Sequence, residues 1–230
     1  MQSLLKIDTW LYPPVCVICG LAGRFGLDCC PGCQADLSRL RTHCRRCALE
    51  TARTVDLCGR CTTRLPAFDA AWAGFAYRGA IENLITRFKF QRDLAAGRVL
   101  ARLMAEELAN QQTVRPDLMV PIPLHPRRRL GRGFNQAELL CRDLQTHFNG
   151  LPWASALRRK RPTRAQSELP ADRRRGNVRG AFDITRLPPG TSHVSLVDDV
   201  MTTGSTLNEC ARVLKRGGVR RVDVWVVARA

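Results

Sequence analysis

Residues 194–206 read VSLVDDVMTTGST. An apolar run meets two adjacent carboxylates, Asp198 and Asp199, and then a turn of four hydroxyl side chains around Gly204. VSLV reads as a buried strand. The helix expected from about Ser205 places Leu207, Cys210, Ala211 and Leu214 on one face, with Arg216 in its last turn and Gly217 or Gly218 closing it. Backbone N–H groups at a helix start have no intrahelical partner and carry the positive end of the helix dipole, so the turn suits a phosphate. Gly204 permits close backbone approach, while Thr202, Thr203, Ser205 and Thr206 add donors without charge. The two aspartates would repel that phosphate. They suit neutral sugar hydroxyls, or a magnesium ion shared with the ligand. A ribose carrying a 5′-phosphate meets both demands. A blander reading also fits: a strand, a Ser/Thr helix cap and two solvated aspartates.

Outward from this stretch, short apolar runs alternate with helical periodicity. LPAFDAAWAGFAY (65–77) suits strands leaving a preceding unit. Ile81, Leu84, Ile85 and Phe88 follow a helical period, and a second helix is expected over about 95–110, with Val99, Leu100, Leu103, Met104 and Leu108 on one side. DLMVPIP (117–123) reads as a strand stopped by prolines, followed by a basic loop, LHPRRRLGRGFNQ. The next helix carries Ala137, Leu140, Cys141, Leu144 and Phe148 on one face. Residues 158–179 are arginine-rich and weakly periodic, GAFDIT is a strand near Phe182, and VDVWVVA is the last strand. Such alternation predicts an α/β domain with a parallel sheet covered on both faces. Ligands of such sheets bind beyond the carboxyl ends of the strands, where the LHPRRR and DDVMTTGST loops should converge.

The N-terminal third follows different rules. Eight of eleven cysteines form four C-x2-C pairs, Cys16/Cys19, Cys30/Cys33, Cys44/Cys47 and Cys58/Cys61, recurring every 14 residues. That spacing alone leaves open which pairs belong together. Leu21 with Leu49, Asp28 with Asp56 and Leu37 with Leu65 match at a shift of 28, which favours an internal duplication and two sequential zinc ribbons over a cross-brace. Each C-x2-C turn aims two thiolates at one tetrahedral ion. Redox pairs usually occur singly beside a βαβ unit, and disulfides are disfavoured in the cytosol. Cys29 stands opposite Leu57 in the 28-residue register, so Cys30 is the ligand. Cys141 and Cys210 fall on apolar helical faces and read as core. The expected division is residues 1–66 for the N-terminal segment and double ribbon, and 67–230 for the sheet domain.

The formal net charge is +17. Between Arg115 and Arg179, 15 Lys/Arg stand against 5 Asp/Glu, more cations than one small ligand can use. This favours an anionic partner, and a groove tracking a nucleic-acid backbone is one form of it. Phe134, Phe148 and Trp153 are possible stacking platforms but read better as core. No run approaches a membrane span, no secretion signal is visible, and the Walker A pattern is missing. The expected location is the cytoplasm, with the inner face of the membrane as an alternative position.

Residues 194–206 resemble the phosphoribosyl pyrophosphate (PRPP) signature of type I phosphoribosyltransferases, with Ser195 as the one departure. Together with the cysteine unit, VPIPLHPRRRLGRGFNQAELL and RPTRAQSELPADRRRGNVRGAF, nearly the whole chain resembles the ComF family of competence proteins (the ComFC/GntX type). The resemblance implies a phosphoribosyltransferase-like domain, a role in DNA uptake during transformation or in growth on DNA, and affinity for single-stranded DNA. A helicase-like uptake protein is the implied partner. Asp198 and Asp199 would bind ribose hydroxyls and help place magnesium, and Thr202, Thr203, Gly204, Ser205 and Thr206 would hold the 5′-phosphate. Residues 121–127 resemble the pyrophosphate loop, with Arg127, Arg128 or Arg132 neutralising that group. Residues 163–175 correspond to a closing loop. Phosphoribosyl transfer is a candidate reaction with no readable acceptor or general base. A non-catalytic zinc protein that binds nucleic acid on the same scaffold is the alternative.

Overall fold

The structure is a computed structural model that describes residues 13–24, 26–111, 114–160 and 180–230, with the backbone alone at 126–128. In chain order the cysteine-rich part carries α1 (Pro31–Ala35) and α2 (Gly59–Thr63). Then come β1 (Ala70–Ala76), α3 (Ala80–Phe90), α4 (Leu94–Ala109), β2 (Leu118–Pro121), α5 (Pro126–Arg132) and α6 (Gln136–His147). The chain continues through β3 (Leu157–Arg159), β4 (Phe182–Ile184), β5 (His193–Met201), α7 (Ser205–Arg216) and β6 (Arg221–Arg229).

Strands β1, β6, β5 and β2 form one parallel sheet in that order. Parallel strands are covered on both faces, which is why β5 and β6 are almost continuously buried. On one face, Ile81, Leu84, Ile85 and Phe88 of α3 pack with α4 and α6 against Val197, Trp225 and Val227. On the other, Leu207, Cys210, Ala211 and Leu214 of α7 pack with Phe182 and Leu157 against Leu196, Val224 and Val226. Cys141 and Cys210 are fully buried, each in one of these two layers.

Both sheet edges are covered, which removes the templates for pairing with another chain. At β1, Leu40 N–H donates to the Gly74 carbonyl (2.9 Å), Ala76 N–H to Ser38 (2.7 Å) and Ala71 N–H to Arg45 (3.1 Å). At β2, Met119 N–H donates to Pro152 (2.9 Å), and Ala154 N–H to Met119 (3.1 Å). The segment joining the two cysteine clusters is therefore an edge cover for the sheet.

Three local expectations change. LHPRRR does not run as a loop throughout, because Pro126 opens the short helix α5, where its missing N–H costs nothing. The strand near Phe182 forms outside the parallel sheet, as β4 paired antiparallel with β3. Residues 70–76 do not merely lead out of the cysteine unit, since they form the outer parallel strand β1.

α3 lies close on α4 at Gly97, where an added Cβ would stand 2.5 Å from a ring carbon of Phe88. Gly97→Ala should cost about 1–3 kcal/mol of stability by overpacking. A thermal melt checks this, and an unchanged midpoint would contradict the close approach of the two helices.

Candidate functional site

The sheet brings the two predicted loops together. β2 and β5 are parallel neighbours with Pro121 beside Val197, and Ile122 N–H continues the ladder to the Val197 carbonyl (3.0 Å). Asn135 Nδ2 donates to the Ile122 carbonyl (3.1 Å) and its Oδ1 accepts from Ala137 N–H, so one buried side chain fixes both the β2 exit and the start of α6. Arg127 falls in α5 beyond that exit, and its side chain is outside the described residues, as is the whole of 163–175.

The aspartates lie inside β5, with Asp198 in register with Val226 of β6. Alternation along a strand sends adjacent side chains to opposite faces. Asp199 faces α3, where Lys89 Nζ lies 2.9 Å from its Oδ1, and only 8% of its side chain is exposed. The same carboxylate accepts from Val200 N–H at 2.6 Å. Asp198 is close enough to α7 for its charge to push up the buried Cys210 thiol, itself raised first by burial, and its carboxyl also meets that of Asp199. Its Oδ1 accepts from Asp199 N–H (2.9 Å). Burial, then the Asp199 charge, push the Asp198 carboxyl up to about 7 against the pull of Lys89. Burial pulls the Lys89 ammonium down, but Asp199 outweighs it and holds the group above its ordinary range.

Beyond Met201 the turn has the form the sequence implied. Gly204 is the N-cap of α7 at φ 73°, in the left-handed region that favours glycine. Thr203 Oγ1 and Ser205 Oγ are 2.8 Å apart, and Thr202 and Thr206 flank them on the same turn. Asn208 Oδ1 accepts from Ala67 N–H (2.6 Å), tying the first turn of α7 to the chain just before β1.

Magnesium fits this pair poorly. Asp199 is already paired with an ammonium, and the Asp198 carboxyl lies against that of Asp199, so an ion bound by the two would have to displace Lys89. Six oxygen ligands at short range would have to come from elsewhere.

A cavity of about 930 Å³ opens beside the hydroxyl turn, between α2 and α7. Thr203, Gly204 and Ser205 line it together with Arg60, Arg64, Arg212, Arg216 and Arg229. Arg229, 6% exposed, donates to the carbonyls of Cys47 (3.1 Å) and Met201 (2.9 Å), joining the second cysteine cluster to the end of β5. Glu209 is engaged by Arg212 and by Gly180 N–H (2.8 Å). The wall that remains is cationic.

The cysteines gather as two sequential sets, Cys16, Cys19, Cys30 and Cys33, and Cys44, Cys47, Cys58 and Cys61, with all sulfurs of a set within 4.8 Å of one another. Sulfur separations of 3.7 Å (Cys19–Cys30), 3.6 Å (Cys47–Cys58) and 4.0 Å (Cys44–Cys61) match the edge of a tetrahedron with Zn–S near ~2.3 Å, about 3.8 Å. Cys29 stays outside the first set, buried, and pushed up to about 12 by burial and the neighbouring thiols. Burial raises Cys16, but the backbone N–H groups of Cys30, Cys19 and Ile18 bring it down to about 6. Cys58 reaches about 7 by the same balance, burial against the Cys61 backbone and the Cys47 thiol. A set of thiols that shares protons this way is poised to lose them to zinc.

Comparison with known proteins agrees. The model of a double zinc ribbon domain matches residues 7–64. DNA utilization protein YhgH of Salmonella typhimurium is 35% identical over 225 residues, covering 94% of this chain and 97% of that protein. Competence protein F of Haemophilus influenzae is 34% identical over 207 residues, 87% and 90% of the two chains. Competence protein ComFC of Streptococcus pneumoniae is 30% identical over 206 residues, 90% and 83%. The chain belongs to the ComF family. Among the described residues, no helix is long and apolar enough to cross a membrane.

Sequence reasoning on this ComF-family chain missed Lys89 and the arginine wall. Lys89 had a signal, since it sits four and eight residues after Ile85 and Ile81, on the apolar stripe of α3, where a lysine needs a partner. Arg60, Arg64, Arg212, Arg216 and Arg229 come from three separate elements, and no local pattern links them. Phe134 stacks on Phe88 (5.6 Å) and Phe148 packs against Trp225 (5.9 Å), while Trp153 is partly buried against the same core.

Metal analysis should find two zinc ions per chain, and Cys44→Ser with Cys47→Ser should leave one and lower the thermal midpoint by about 10 °C or more. Retention of both ions and of the full midpoint would contradict the ligand set. Between the ordinary carboxylate range and about 7, the folded protein holds a proton on Asp198 that the unfolded chain releases, so stability falls as pH rises through that window. Asp198→Asn should therefore raise the midpoint by a few degrees at pH ~8 and leave it nearly unchanged at pH ~4. A lower midpoint at the higher pH would contradict it.

Proposed function

We propose that this protein is a DNA-uptake factor that binds PRPP at the β5–α7 junction and single-stranded DNA along the adjoining arginine wall. One observation carries the reading: a half-buried Asp198 stands one turn ahead of a left-handed Gly204 and the Thr203/Ser205 hydroxyl pair, at the N-terminus of α7. The hydroxyls and backbone N–H groups suit the 5′-phosphate, and Asp198 suits a ribose hydroxyl. The diphosphate then lies toward the exit of β2 and the basic segment after it, where Arg127 falls. Any divalent ion arrives on that diphosphate. The relatives named for competence and for DNA utilization support the uptake role.

The arginine wall favours the nucleic-acid half of the proposal. Arg60 of α2 and Arg64 just after it line the cavity together with Arg212 and Arg216 of α7 and the apolar Leu65, Pro66 and Phe68. Guanidinium groups pair bidentately with phosphate, and apolar surface between them accepts sugar and base. If the chain turns PRPP over, an acceptor leaves with the ribosyl group and pyrophosphate is released, with arginines and a closed site stabilising the departing charge.

Calorimetric titration of the zinc-loaded protein with PRPP should show one site per chain. Gly204→Val, which strains the left-handed turn and fills it, should weaken binding by about tenfold or more. The absence of any PRPP binding by the wild type would overturn the ligand assignment, and pyrophosphate release in the presence of DNA would establish turnover. For an oligothymidine probe, Arg60→Glu with Arg64→Glu should weaken binding and flatten the slope of log K against log salt by about 1.4. Arg41→Glu with Arg53→Glu, exposed arginines off the cavity, is the matched control, and equal effects of the two pairs would remove the wall from the site.

A further inference from the structure

We infer that Lys89 is the resident cation of the β5–α7 site: its ammonium holds the place beside Asp199 that a divalent ion would otherwise take, leaving Asp198 as the carboxylate that meets the ligand. The half of this concerning the ligand rests on the ribose-phosphate reading above. The half concerning the cation stands on geometry alone.

Lys89 is one residue from the end of α3, and its position is imposed by the core. Ile81, Leu84, Ile85 and Phe88 are each at most 1% exposed, which fixes the rotation of the helix. The last turn is tied further by Arg87, whose Nε and Nη2 both reach Asp93 Oδ2 (3.0 and 2.6 Å) and whose Nη1 donates to the Val17 carbonyl (2.5 Å). A helix held on two sides delivers its next side chain to one place. Nζ of Lys89 lies there, 2.9 Å from Asp199, with 20% of the lysine and 8% of the aspartate side chain exposed.

Admitting a magnesium ion at Asp199 would separate this pair and leave an ammonium buried without its counter-charge. Breaking a buried pair in that way is strongly unfavourable, and a divalent ion would still need most of its six oxygen ligands from outside the two aspartates. The lysine therefore does two things. It cancels the second of two adjacent negative charges, so that a phosphorylated sugar can approach, and it holds Asp199 in an ion pair. Lys89 is a positioning residue in this sense, and the metal requirement of the site belongs to the diphosphate of the ligand. A ligand without a diphosphate should bind with no metal at all.

The test uses full-length, zinc-loaded protein and two readouts. In the first, manganese is titrated into ligand-free protein and the free ion is followed by electron paramagnetic resonance. Wild type should show no site in the micromolar range. Lys89→Met, which keeps the stem and removes the charge, should expose Asp199 and create one site at least about tenfold tighter. Lys89→Met with Asp199→Asn should lose that site again and, having removed both charges, should fold like the wild type. In the second, calorimetry with ribose 5-phosphate should give equal affinities in chelator and in magnesium for the wild type, and metal-dependent binding for Lys89→Met.

A micromolar manganese site in the wild type that Asp199→Asn abolishes would overturn the inference, as would a folded Lys89→Met that gains none. Should Lys89→Met fail to fold, Lys89→Gln serves in its place, and a micromolar manganese site in the wild type still overturns the inference. If the wild type binds neither ribose 5-phosphate nor PRPP, the ribose-phosphate reading falls while the manganese result continues to judge Lys89.

Discussion

A carboxylate placed inside the central strands of a parallel sheet has to be matched where it stands. Asp199 is such a group, and the ammonium of Lys89 matches it at 2.9 Å. Much of the molecule serves that contact. α3 must lie at one rotation on the sheet, α4 must approach it closely enough to need Gly97, and β5 must keep its register with β6 and β2 through the aspartates. Once Asp199 is neutralised, its neighbour is free to differ. Asp198 remains half-buried beside it, and shares its end of the sheet with the left-handed Gly204 and the Thr203/Ser205 hydroxyl pair.

The cysteine clusters enter the same arrangement from outside. A segment with so small a core draws much of its folding energy from metal, and it returns order to the sheet domain at defined points. Ser38, Leu40 and Arg45 complete the edge of β1, and Arg46 donates to the carbonyls of Pro66 (2.9 Å) and Asp69 (2.8 Å) just before that strand. Arg229 links the Cys47 carbonyl to the Met201 carbonyl at the end of β5. The second ribbon is thus one wall of the cavity beside the hydroxyl turn, and its metal is coupled to the geometry of the site. Net positive charge has a location as well as a magnitude here, since five guanidinium groups converge on that cavity.

Local chemistry made much of this readable in the sequence. Apolar runs ending in Gly, Pro or hydroxyl residues marked β2, β5 and β6, and the period of Leu207, Cys210, Ala211 and Leu214 placed α7 with its N-terminus on Ser205. The 28-residue register assigned the cysteines to sequential sets and excluded Cys29. What escaped was tertiary or too short to have a period. β3 and β4 have three residues each, and α5 is built of arginines that read equally well as a loop. The adjacency of Asp198 and Asp199 was plain in the sequence, but the lysine that pairs with Asp199 lies more than a hundred residues earlier. The arginine wall joins α2, α7 and β6, and nothing in any one of them announces the other two.

Two proposals meet at the β5–α7 junction, that a ribose phosphate sits there and that Lys89 remains on Asp199 while it does. A crystal structure with ribose 5-phosphate bound examines both at once. The expected density places the phosphate against the Thr203, Gly204 and Ser205 turn, a ribose hydroxyl on Asp198, and the Lys89–Asp199 pair unbroken. A sugar phosphate bound elsewhere, or a metal ion at Asp199 with Lys89 displaced, would contradict it.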